Sequence, residues 1–225
     1  MRLVALLPMK AHSERVPAKN FRDFLGKPLF RWTLDTLLSF DAVDQVVINT
    51  DAAALLEQAG LPDDSRVVLR DRKPDLCGDF VSMNAIIADD IAAINADAYV
   101  QTHTTNPLLR AETLRAAYAA FAAAHGAGEA DSLYAVTRHQ ARFYWPDGRP
   151  VNHDPANLKR TQDLDPMYEE NSNFYFFTRD SFAATQARIG VKALLHEVDR
   201  LEATDIDDQE TWDLAEAVAR MRGYA

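Results

Sequence analysis

The sequence has little cysteine, no long apolar run and no excess of positive charge, and each lack excludes a class of protein. A single cysteine, Cys77, among 225 residues excludes an intrachain disulfide and a cysteine-based zinc cluster. No apolar stretch reaches the roughly 18 residues of a membrane-spanning helix. The five apolar residues at 3–7 are fewer than the about 7–15 of a secretory signal. We therefore expect a cytosolic protein that binds no membrane.

Negative charge dominates the chain, but it is unevenly distributed. A net charge of −10 argues against a general nucleic-acid-binding protein. Residues 1–31 run against this trend, with seven Lys or Arg and two Asp or Glu. A basic segment on an acidic protein predicts a local anion site. The alternative is a solvated surface loop whose positive residues serve no ligand.

Glycine-rich phosphate loops are also missing. Neither G-x-x-x-x-G-K-[ST] nor G-x-G-x-x-G occurs, so a P-loop NTPase and a dehydrogenase-type dinucleotide fold are not predicted. Residues 8–20 instead form a long loop with three cations, Lys10, Arg15 and Lys19. These side chains, with Ser13 and backbone N–H groups, could offset the charge of a bound triphosphate.

Apolar segments alternate between strand-like and helix-like spacing, which predicts an α/β fold with a doubly wound, mostly parallel sheet. We expect one domain over residues 1–225. Its regular alternation breaks at 138–167, where five prolines or glycines accompany isolated aromatic residues. Such turn-forming composition predicts an excursion from the sheet, a β/loop arm suited to pairing with another subunit. Predicted strands cover 3–7, 45–49, 67–69, 98–101, 132–137, 173–178 and 191–195, and predicted helices 28–40, 50–59, 80–95, 110–124 and 207–222.

Two further polar clusters follow predicted strands, where ligands of open α/β sheets bind. In extended backbone, Asp205 and Asp207 project to one side and form a plausible Mg²⁺ site shared with substrate phosphates. The alternative is that Asp207 or Asp208 caps the last helix. Residues 101–107, QTHTTNP, offer neutral hydrogen-bonding groups suited to sugar hydroxyls, or to capping the next helix. The histidines lack ligand spacing, so zinc is not expected.

These motifs together resemble those of a known family. Residues 9–20, MKAHSERVPAKN, are similar to A-R-x-x-S-K-R-[LIV]-P-x-K-N, the signature of the acylneuraminate cytidylyltransferases, or CMP-sialic acid synthetases. Further matches follow in the family's order over nearly the whole chain. They are Thr50-Asp51, Val68-Leu69-Arg70, Asp79, Ser82, His103 to Pro107, Arg160 to Leu164, Glu170 to Tyr175 and Asp205-Ile206-Asp207.

The resemblance implies an enzyme with a nucleotide-diphospho-sugar transferase-like fold. It would join CMP from CTP to an acidic nonulosonic or sialic-type sugar, release pyrophosphate, require Mg²⁺ and form a homodimer through the arm. It also implies roles for individual residues. Catalysis falls to Lys10, Lys19 and Asp207; nucleotide binding to Lys10, Ser13, Arg15, Lys19, Asn20, Arg70 and Ser82; sugar binding to His103, Arg160, Gln162, Asn171 and Tyr175; metal binding to Asp205 and Asp207.

Two positions depart from the family pattern. Lys10 replaces an arginine, so a point charge stands where a planar bidentate fork is expected. Ser172 replaces a glycine in the sugar pocket and could change which sugar fits. Alternatives are therefore a related nucleotidyltransferase with another acceptor, either the eight-carbon acid KDO or a non-acidic sugar, and a non-catalytic nucleotide-binding relative. Arg160 favours an acidic acceptor because a guanidinium pairs well with a carboxylate.

Overall fold

The computed structural model describes residues 1–13 and 15–224. A seven-stranded sheet runs through its centre, and a two-stranded hairpin lies beside it. Each strand of the large sheet contains a run of apolar or β-branched residues, as expected for buried strands. The strands are β1 (Leu3–Leu6), β2 (Asp23–Phe24), β3 (Lys27–Pro28), β4 (Val43–Thr50), β5 (Val67–Asp71), β6 (Ala98–Thr102), β7 (Ser132–His139), β8 (Met167–Phe177) and β9 (Ala193–Glu197).

The large sheet is mostly parallel, which confirms the predicted fold class. Its strand order is β5-β4-β1-β6-β8-β7-β9. The strands β1, β4, β5 and β6 pair in parallel. Strand β8 is the exception, because it runs antiparallel to both β6 and β7. The chain leaves the sheet at the end of β7 and returns at the same edge, so β8 enters in the opposite direction.

Helices cover both faces of the sheet. Alternate residues of β1 face two different cores. Leu3 and Ala5 pack with α1 (Leu29–Leu38) and α4 (Ala111–Gly126), while Val4 and Leu6 pack with α3 (Met83–Ala93) and α5 (Arg179–Thr185). All four side chains have no solvent exposure, and fully burying such a side chain contributes about 1.5–3 kcal/mol. The helices are α1 (Leu29–Leu38), α2 (Ala53–Gln58), α3 (Met83–Ala93), α4 (Ala111–Gly126), α5 (Arg179–Thr185) and α6 (Gln209–Met221).

A third, smaller core joins the two ends of the chain. It packs Val16 of the basic loop against Ile206 and against Trp212 of α6, and all three side chains are buried. Phe24 of the β2–β3 hairpin stacks edge-on against Trp212, with ring centroids 5.4 Å apart. This core holds the loop after β1 next to the segment before α6, so it fixes the relative position of their polar residues.

The segment between β7 and β8, residues 140–166, lies outside the strands of the sheet, whereas the predicted excursion of 138–167 also included the end of β7 and the start of β8. Its use as a dimerisation arm stays a prediction. The last residues of β7 pair with the first residues of β8, from Val136 opposite Glu170 to His139 opposite Met167. This part of β8 lies beyond the part that pairs with β6. The following loop closes with a bridge between Tyr144 and Pro150. Trp145 and Leu158 are 54% and 65% exposed. The arm therefore carries apolar side chains on its surface.

Some predicted elements are shorter or shifted. The helix predicted to start at residue 50 begins at Ala53, because Thr50 completes strand β4. The helix predicted from residue 80 begins at Met83, where the Ser82 hydroxyl accepts a hydrogen bond from Asn84 N–H. The β2–β3 hairpin and α5 were not predicted, since each is too short for a clear apolar period. Within the described ranges, no helix combines the length and apolar character needed to cross a bilayer.

Candidate active site

The loop that follows β1 is fixed by a half-buried arginine. Arg72, just beyond β5, donates from Nη2 to the carbonyl oxygens of Met9 and Asn49, at 2.9 and 2.7 Å, and from Nε to Asn49 Oδ1 at 3.0 Å. Burial lowers the Arg72 pKa, and the charge of Asp51 opposes that effect. Arg72 lies in no recognisable sequence motif, so its role was not predicted. Its contacts tie the start of the basic loop to the ends of β4 and β5.

The end of the same loop is closed by Asn20. Its Nδ2 donates to the carbonyl oxygen of Lys10 at 2.9 Å, and its Oδ1 accepts from the Thr104 hydroxyl at 2.7 Å. Asn20 is almost completely buried. The predicted nucleotide-contacting asparagine therefore also fixes the loop's shape, connecting residues 10 and 20 to the loop after β6.

Lys19 connects the basic loop to the aspartate segment. Its Nζ donates to the carbonyl oxygen of Ile206 at 2.6 Å, and the side chain is 9% exposed. Burial lowers the Lys19 pKa, whereas the charges of Asp205 and Asp207 act to raise it. Arg15 makes a second connection, with its Nη2 2.7 Å from Asp207 Oδ1. Two of the predicted phosphate-binding cations thus lie directly beside the two predicted metal-binding carboxylates.

The three aspartates before α6, Asp205, Asp207 and Asp208, differ in their contacts. Ile206 is fully buried in the third core, and Asp205 and Asp207 on either side of it line a common recess. Asp208 caps α6, because its Oδ1 accepts from Thr211 N–H at 2.9 Å. The alternative of a capping aspartate therefore applies to Asp208. The carboxylates of Asp205 and Asp207 take no part in this cap.

Asp205 has the environment of a carboxylate that lacks a counter-ion. Its Oδ1 is buried and has no hydrogen-bond partner among the described residues. Burial raises the Asp205 pKa, and the neighbouring charge of Asp207 adds to this, while Thr105 and Lys19 oppose it. A buried oxygen without a partner costs about 1–3 kcal/mol. A cation at this position would remove that cost.

A cavity of about 260 Å³ lies over the carboxyl ends of β1 and β6. Most of the residues in its wall are polar or charged, and they come from the basic loop, the loop after β6 and the segment between Arg72 and Ile86. Lys10 reaches it while paired with Asp79, and both side chains are about 40% exposed. The predicted site residues on its wall are Lys10, Ser13, Arg15, Lys19, Asn20 and His103. The structure thus brings six of the sequence-predicted residues to one cavity.

Arg70 and Ser82, predicted to recognise the cytidine, do not line this cavity. Arg70 pairs with Asp89 at 2.9 Å and with the fully buried Asp90. Burial raises the Asp90 pKa, and hydrogen bonds from Asn49 and Arg70 counter it. Ser82 caps α3 and lines a neighbouring recess of about 310 Å³. Their roles in base recognition remain predictions.

An arginine that the sequence analysis missed connects His103 to Tyr175. Arg188 donates from Nη1 to Gln101 Oε1 at 2.6 Å and to His103 Nε2 at 3.1 Å, and from Nη2 to the Tyr175 hydroxyl at 3.0 Å. Its guanidinium also lies 3.6 Å above the Tyr175 ring centroid. A guanidinium only donates, so His103 must accept at Nε2 and carry its proton on Nδ1. Burial first, then the charges of Arg188 and Lys19, lower the His103 pKa to about 3.

An irregularity in the pairing of β8 with β7 places Asn171 and Ser172 in the recess that also holds the two aspartates. Asn171 is 9% exposed; its Nδ2 donates to the Thr137 hydroxyl at 3.1 Å, and its Oδ1 accepts from Asn173. Ser172 has a φ of 59°, in the left-handed region that favours glycine. This geometry gives a physical reason for the glycine of the resembled family at this position.

The arm residues Arg160 and Gln162 lie away from these recesses. Arg160 is 73% exposed and pairs with Asp163 of its own turn at 2.7 Å. Gln162 is exposed in the same turn, Thr161–Asp163. Neither residue contacts His103 or Tyr175 within the part of the chain that the structure describes. A sugar-binding role for them within this subunit has no support from their contacts and stays a prediction.

The sequence model of the cytidylyltransferases matches residues 4–224. The chain belongs to this cytidylyltransferase family. The chain is 29% identical over 189 residues to the pseudaminic acid cytidylyltransferase of Campylobacter jejuni subsp. jejuni serotype O:2, covering 79% of each protein. It is 27% identical over 232 residues to the N-acylneuraminate cytidylyltransferase of Oncorhynchus mykiss, covering 99% of this chain and 51% of that protein.

Solved structures of cytidylyl-transferring enzymes share the fold of this cytidylyltransferase. CMP:2-keto-3-deoxy-manno-octonic acid synthetase in complex with CTP superposes with a TM-score of 0.69 at 14% identity, covering 99% of this chain and 100% of that one. The 4-diphosphocytidyl-2C-methyl-D-erythritol synthase of Anaerococcus prevotii also reaches 0.69, at 11% identity, covering 98% and 96%. At such low identity these likenesses establish the fold alone.

Proposed function

We propose that this cytidylyltransferase joins CMP from CTP to the anomeric hydroxyl of an acidic sugar of the nonulosonic class and releases pyrophosphate. The carrying observation is that Lys19 and Arg15 lie directly against the Asp205–Asp207 segment, beside one cavity. A nucleoside triphosphate needs both cations and a carboxylate-held metal at one place. The names of the two relatives, a pseudaminic acid and an N-acylneuraminate cytidylyltransferase, support the acidic acceptor.

In the proposed reaction the protein positions groups and neutralises charge. The acceptor hydroxyl gives up its proton to solvent, and its oxygen forms a bond to the α-phosphorus as the bond from that phosphorus to the oxygen shared with the β-phosphate breaks. Lys10 and Lys19 would stabilise the charge that develops on the leaving pyrophosphate. His103 is unsuited as the base for the acceptor hydroxyl, because its Nε2 already accepts from Arg188. Its Nδ1–H can serve only as a hydrogen-bond donor.

A magnesium ion fits the residues present. Mg²⁺ is commonly held by one or two carboxylates together with substrate phosphates. Among the described residues no group of three or more His, Cys, Asp or Glu could hold a metal, so two aspartates plus phosphate oxygens is the arrangement we propose. Asp205 and Asp207 would be its ligands, and the unpartnered Asp205 Oδ1 supports this choice. The ion would supply positive charge to phosphate oxygens.

The ion pair between Arg15 and Asp207 would open easily. Their side chains are 64% and 47% exposed, and exposed pairs contribute about 0–1 kcal/mol. A triphosphate could therefore draw Arg15 toward its own oxygens and release Asp207 to the metal. In this proposal the ion pair holds both side chains in place until substrate binds.

We also propose a homodimer in the cytosol. Trp145, Tyr144 and Leu158 expose apolar surface on the arm, and exposed apolar clusters favour burial against another protein surface. A second copy of the chain would cover them and bring Arg160 of the arm toward the partner's site. A cytosolic location is supported by the need for a nucleoside triphosphate substrate.

A coupled assay of pyrophosphate release tests the proposed function. Purified protein with CTP and Mg²⁺ should release pyrophosphate only when an acidic sugar is added, and pseudaminic acid, N-acetylneuraminic acid and KDO should be compared. Excess ATP, GTP or UTP should compete weakly against CTP. Pyrophosphate release in the absence of a sugar would contradict the proposal. The absence of release with all three acids would contradict it as well. Preference for KDO would keep the reaction and change the acceptor.

A further inference from the structure

We infer that Arg188 binds the carboxylate of the acceptor sugar and thereby sets the enzyme's preference for an acid; this inference rests on the proposed function. Arg188 belongs to no motif of the sequence analysis. It lies in the chain between α5 and β9, and its side chain is 17% exposed. A charge buried to this extent is costly unless it is paired. Glu170 pairs with it loosely, with Oε1 3.5 Å from Arg188 Nη2.

The contacts of Arg188 leave binding capacity on one edge. Four N–H groups are directed at Gln101, His103, Tyr175 and Glu170, and the last contact, 3.5 Å from Glu170 Oε1, is at the limit of a hydrogen bond. A guanidinium has five N–H donors. For the Nε–H, the described residues supply no hydrogen-bond acceptor. A carboxylate could take the Nε–H and the weakly bound Nη2–H together, the two-point geometry that arginine favours.

The position of Arg188 matches where such a carboxylate has to be. In a nonulosonic acid the carboxylate is attached to the anomeric carbon, so it lies within a few ångströms of the hydroxyl that attacks phosphorus. Arg188 lines the recess of about 310 Å³ and bonds to His103, which lines the nucleotide cavity. Met83 lies on the walls of both. The guanidinium is therefore at the junction between acceptor recess and phosphate cavity.

The recess has other features of a sugar site. Ser82, Asn84 and Glu170 provide polar groups, and Met83 and Ile189 provide apolar surface. The start of α3 lies at its wall, adding the positive end of a helix dipole. Tyr175, one of the predicted sugar-binding residues, packs its ring against the Arg188 guanidinium. Arg160, by contrast, is 73% exposed and already paired within its own turn.

A comparison of sugar acids with their methyl esters tests this inference. Esterification removes the negative charge and keeps the anomeric hydroxyl. We expect wild-type kcat/KM for pseudaminic or N-acetylneuraminic acid to exceed that for the ester by about 10²-fold, because the ester leaves the partly buried guanidinium without its anionic partner. In Arg188→Met the kcat/KM for the acid should fall to within about 3-fold of the kcat/KM for the ester. The KM for CTP should change less.

Controls separate this role from a structural one. Arg179→Met removes an arginine that likewise donates to a tyrosine hydroxyl, Tyr99 at 3.0 Å, on the other side of the subunit; it should keep the preference for the acid. Arg188→Lys should retain part of it through charge alone. Equal loss for acid and ester in both Arg188 variants, or an unchanged preference, would overturn the inference and leave the proposed function standing. Failure of wild type with every acid would instead reject the proposed function itself.

Wild type provides a test that does not depend on a variant folding. Calorimetric titration of acid and ester into the enzyme with Mg²⁺ and a non-hydrolysable CTP analogue should show about 10²-fold tighter binding of the acid. Equal affinity would overturn the inference.

Discussion

The Nζ of Lys19 lies 2.6 Å from the carbonyl oxygen of Ile206, although 187 residues separate them in the chain. The contact places Lys19, the predicted phosphate-binding cation, beside the carboxylates on either side of Ile206. The third core, in which Val16 packs on Ile206, holds this arrangement without substrate. Charges fixed in position beforehand stabilise developing charge without reorganisation, so the geometry suits transfer of a nucleotidyl group.

Replacing Asp207 should reduce catalysis while replacing its neighbour Asp208 should reduce only stability. We expect Asp207→Ala to lower kcat by about 10²-fold, close to the loss of one charge-stabilising group. Asp208→Ala removes the α6 cap, which costs about 1 kcal/mol and lowers Tm by about 2–4 °C. Pyrophosphate release at saturating Mg²⁺ and differential scanning calorimetry give the two values. Wild-type turnover by Asp207→Ala would remove Asp207 from the mechanism.

Ser172→Gly should stabilise the protein. Ser172 has a φ of 59°, and a non-glycine residue in this conformation destabilises the fold by about 1–2 kcal/mol. Glycine removes this strain, but it also makes the unfolded chain more flexible, which lowers stability by about 0.4–1 kcal/mol. The net gain is about 0–1.6 kcal/mol, or a rise in Tm of up to about 3–6 °C. Ser172→Ala keeps the strain and removes the hydroxyl, so it should show no rise. A Tm of Ser172→Gly below that of Ser172→Ala would contradict this explanation of the family glycine.

The low pKa of His103 predicts a loss of stability in mild acid. Burial and the charges of Arg188 and Lys19 lower the pKa to about 3, against 6.5 in the unfolded chain. Between these values the unfolded state binds more protons, so stability falls as the pH drops below 6.5. By pH 5 wild type should lose roughly 1–2 kcal/mol more than His103→Gln, measured by urea unfolding. From pH 7.5 to 9 the two proteins should change alike. Parallel curves at all pH values would show that His103 titrates normally.

Trp145→Glu should convert a dimer to a monomer if the arm forms the interface. Light scattering should give wild type about twice the 25.2 kDa chain mass and the variant close to one chain mass, because a charged side chain cannot be buried in an apolar contact without large cost. Leu214→Glu is the matched control, since Leu214 on α6 is 52% exposed against 54% for Trp145. A dimeric Trp145→Glu would move the interface elsewhere.

Sequence patterns were sufficient for the sheet because both faces of its strands are buried. Leu3 to Leu6 alternate between two cores, and this produces the continuous apolar run that predicted β1. The direction of β8 had no such signal: its aromatic residues would fit a parallel or an antiparallel neighbour equally. The length of the arm and the pairing of β7 with β8 determine the direction, and these depend on contacts far apart in the chain.

The candidate site was predictable where residues carry chemistry in a short motif, as in the loop with Lys10, Arg15 and Lys19. Arg72 and Arg188 were not predictable, because each acts through partners remote in sequence. Arg188 meets Gln101 and His103 across more than 80 residues. Arg70 illustrates the opposite case, where a motif match was clear and the side chain forms ion pairs with Asp89 and Asp90 instead of lining the cavity.

The most direct test of the central claim is a calorimetric titration of CTP into the protein with and without Mg²⁺. Convergence of Lys19 and the two aspartates on one triphosphate predicts binding that is strengthened by Mg²⁺ in wild type. It also predicts that Lys19→Met weakens binding in both conditions and that Asp205→Asn removes most of the strengthening by Mg²⁺. CTP affinity that does not respond to Mg²⁺, or that survives both substitutions unchanged, would contradict the account.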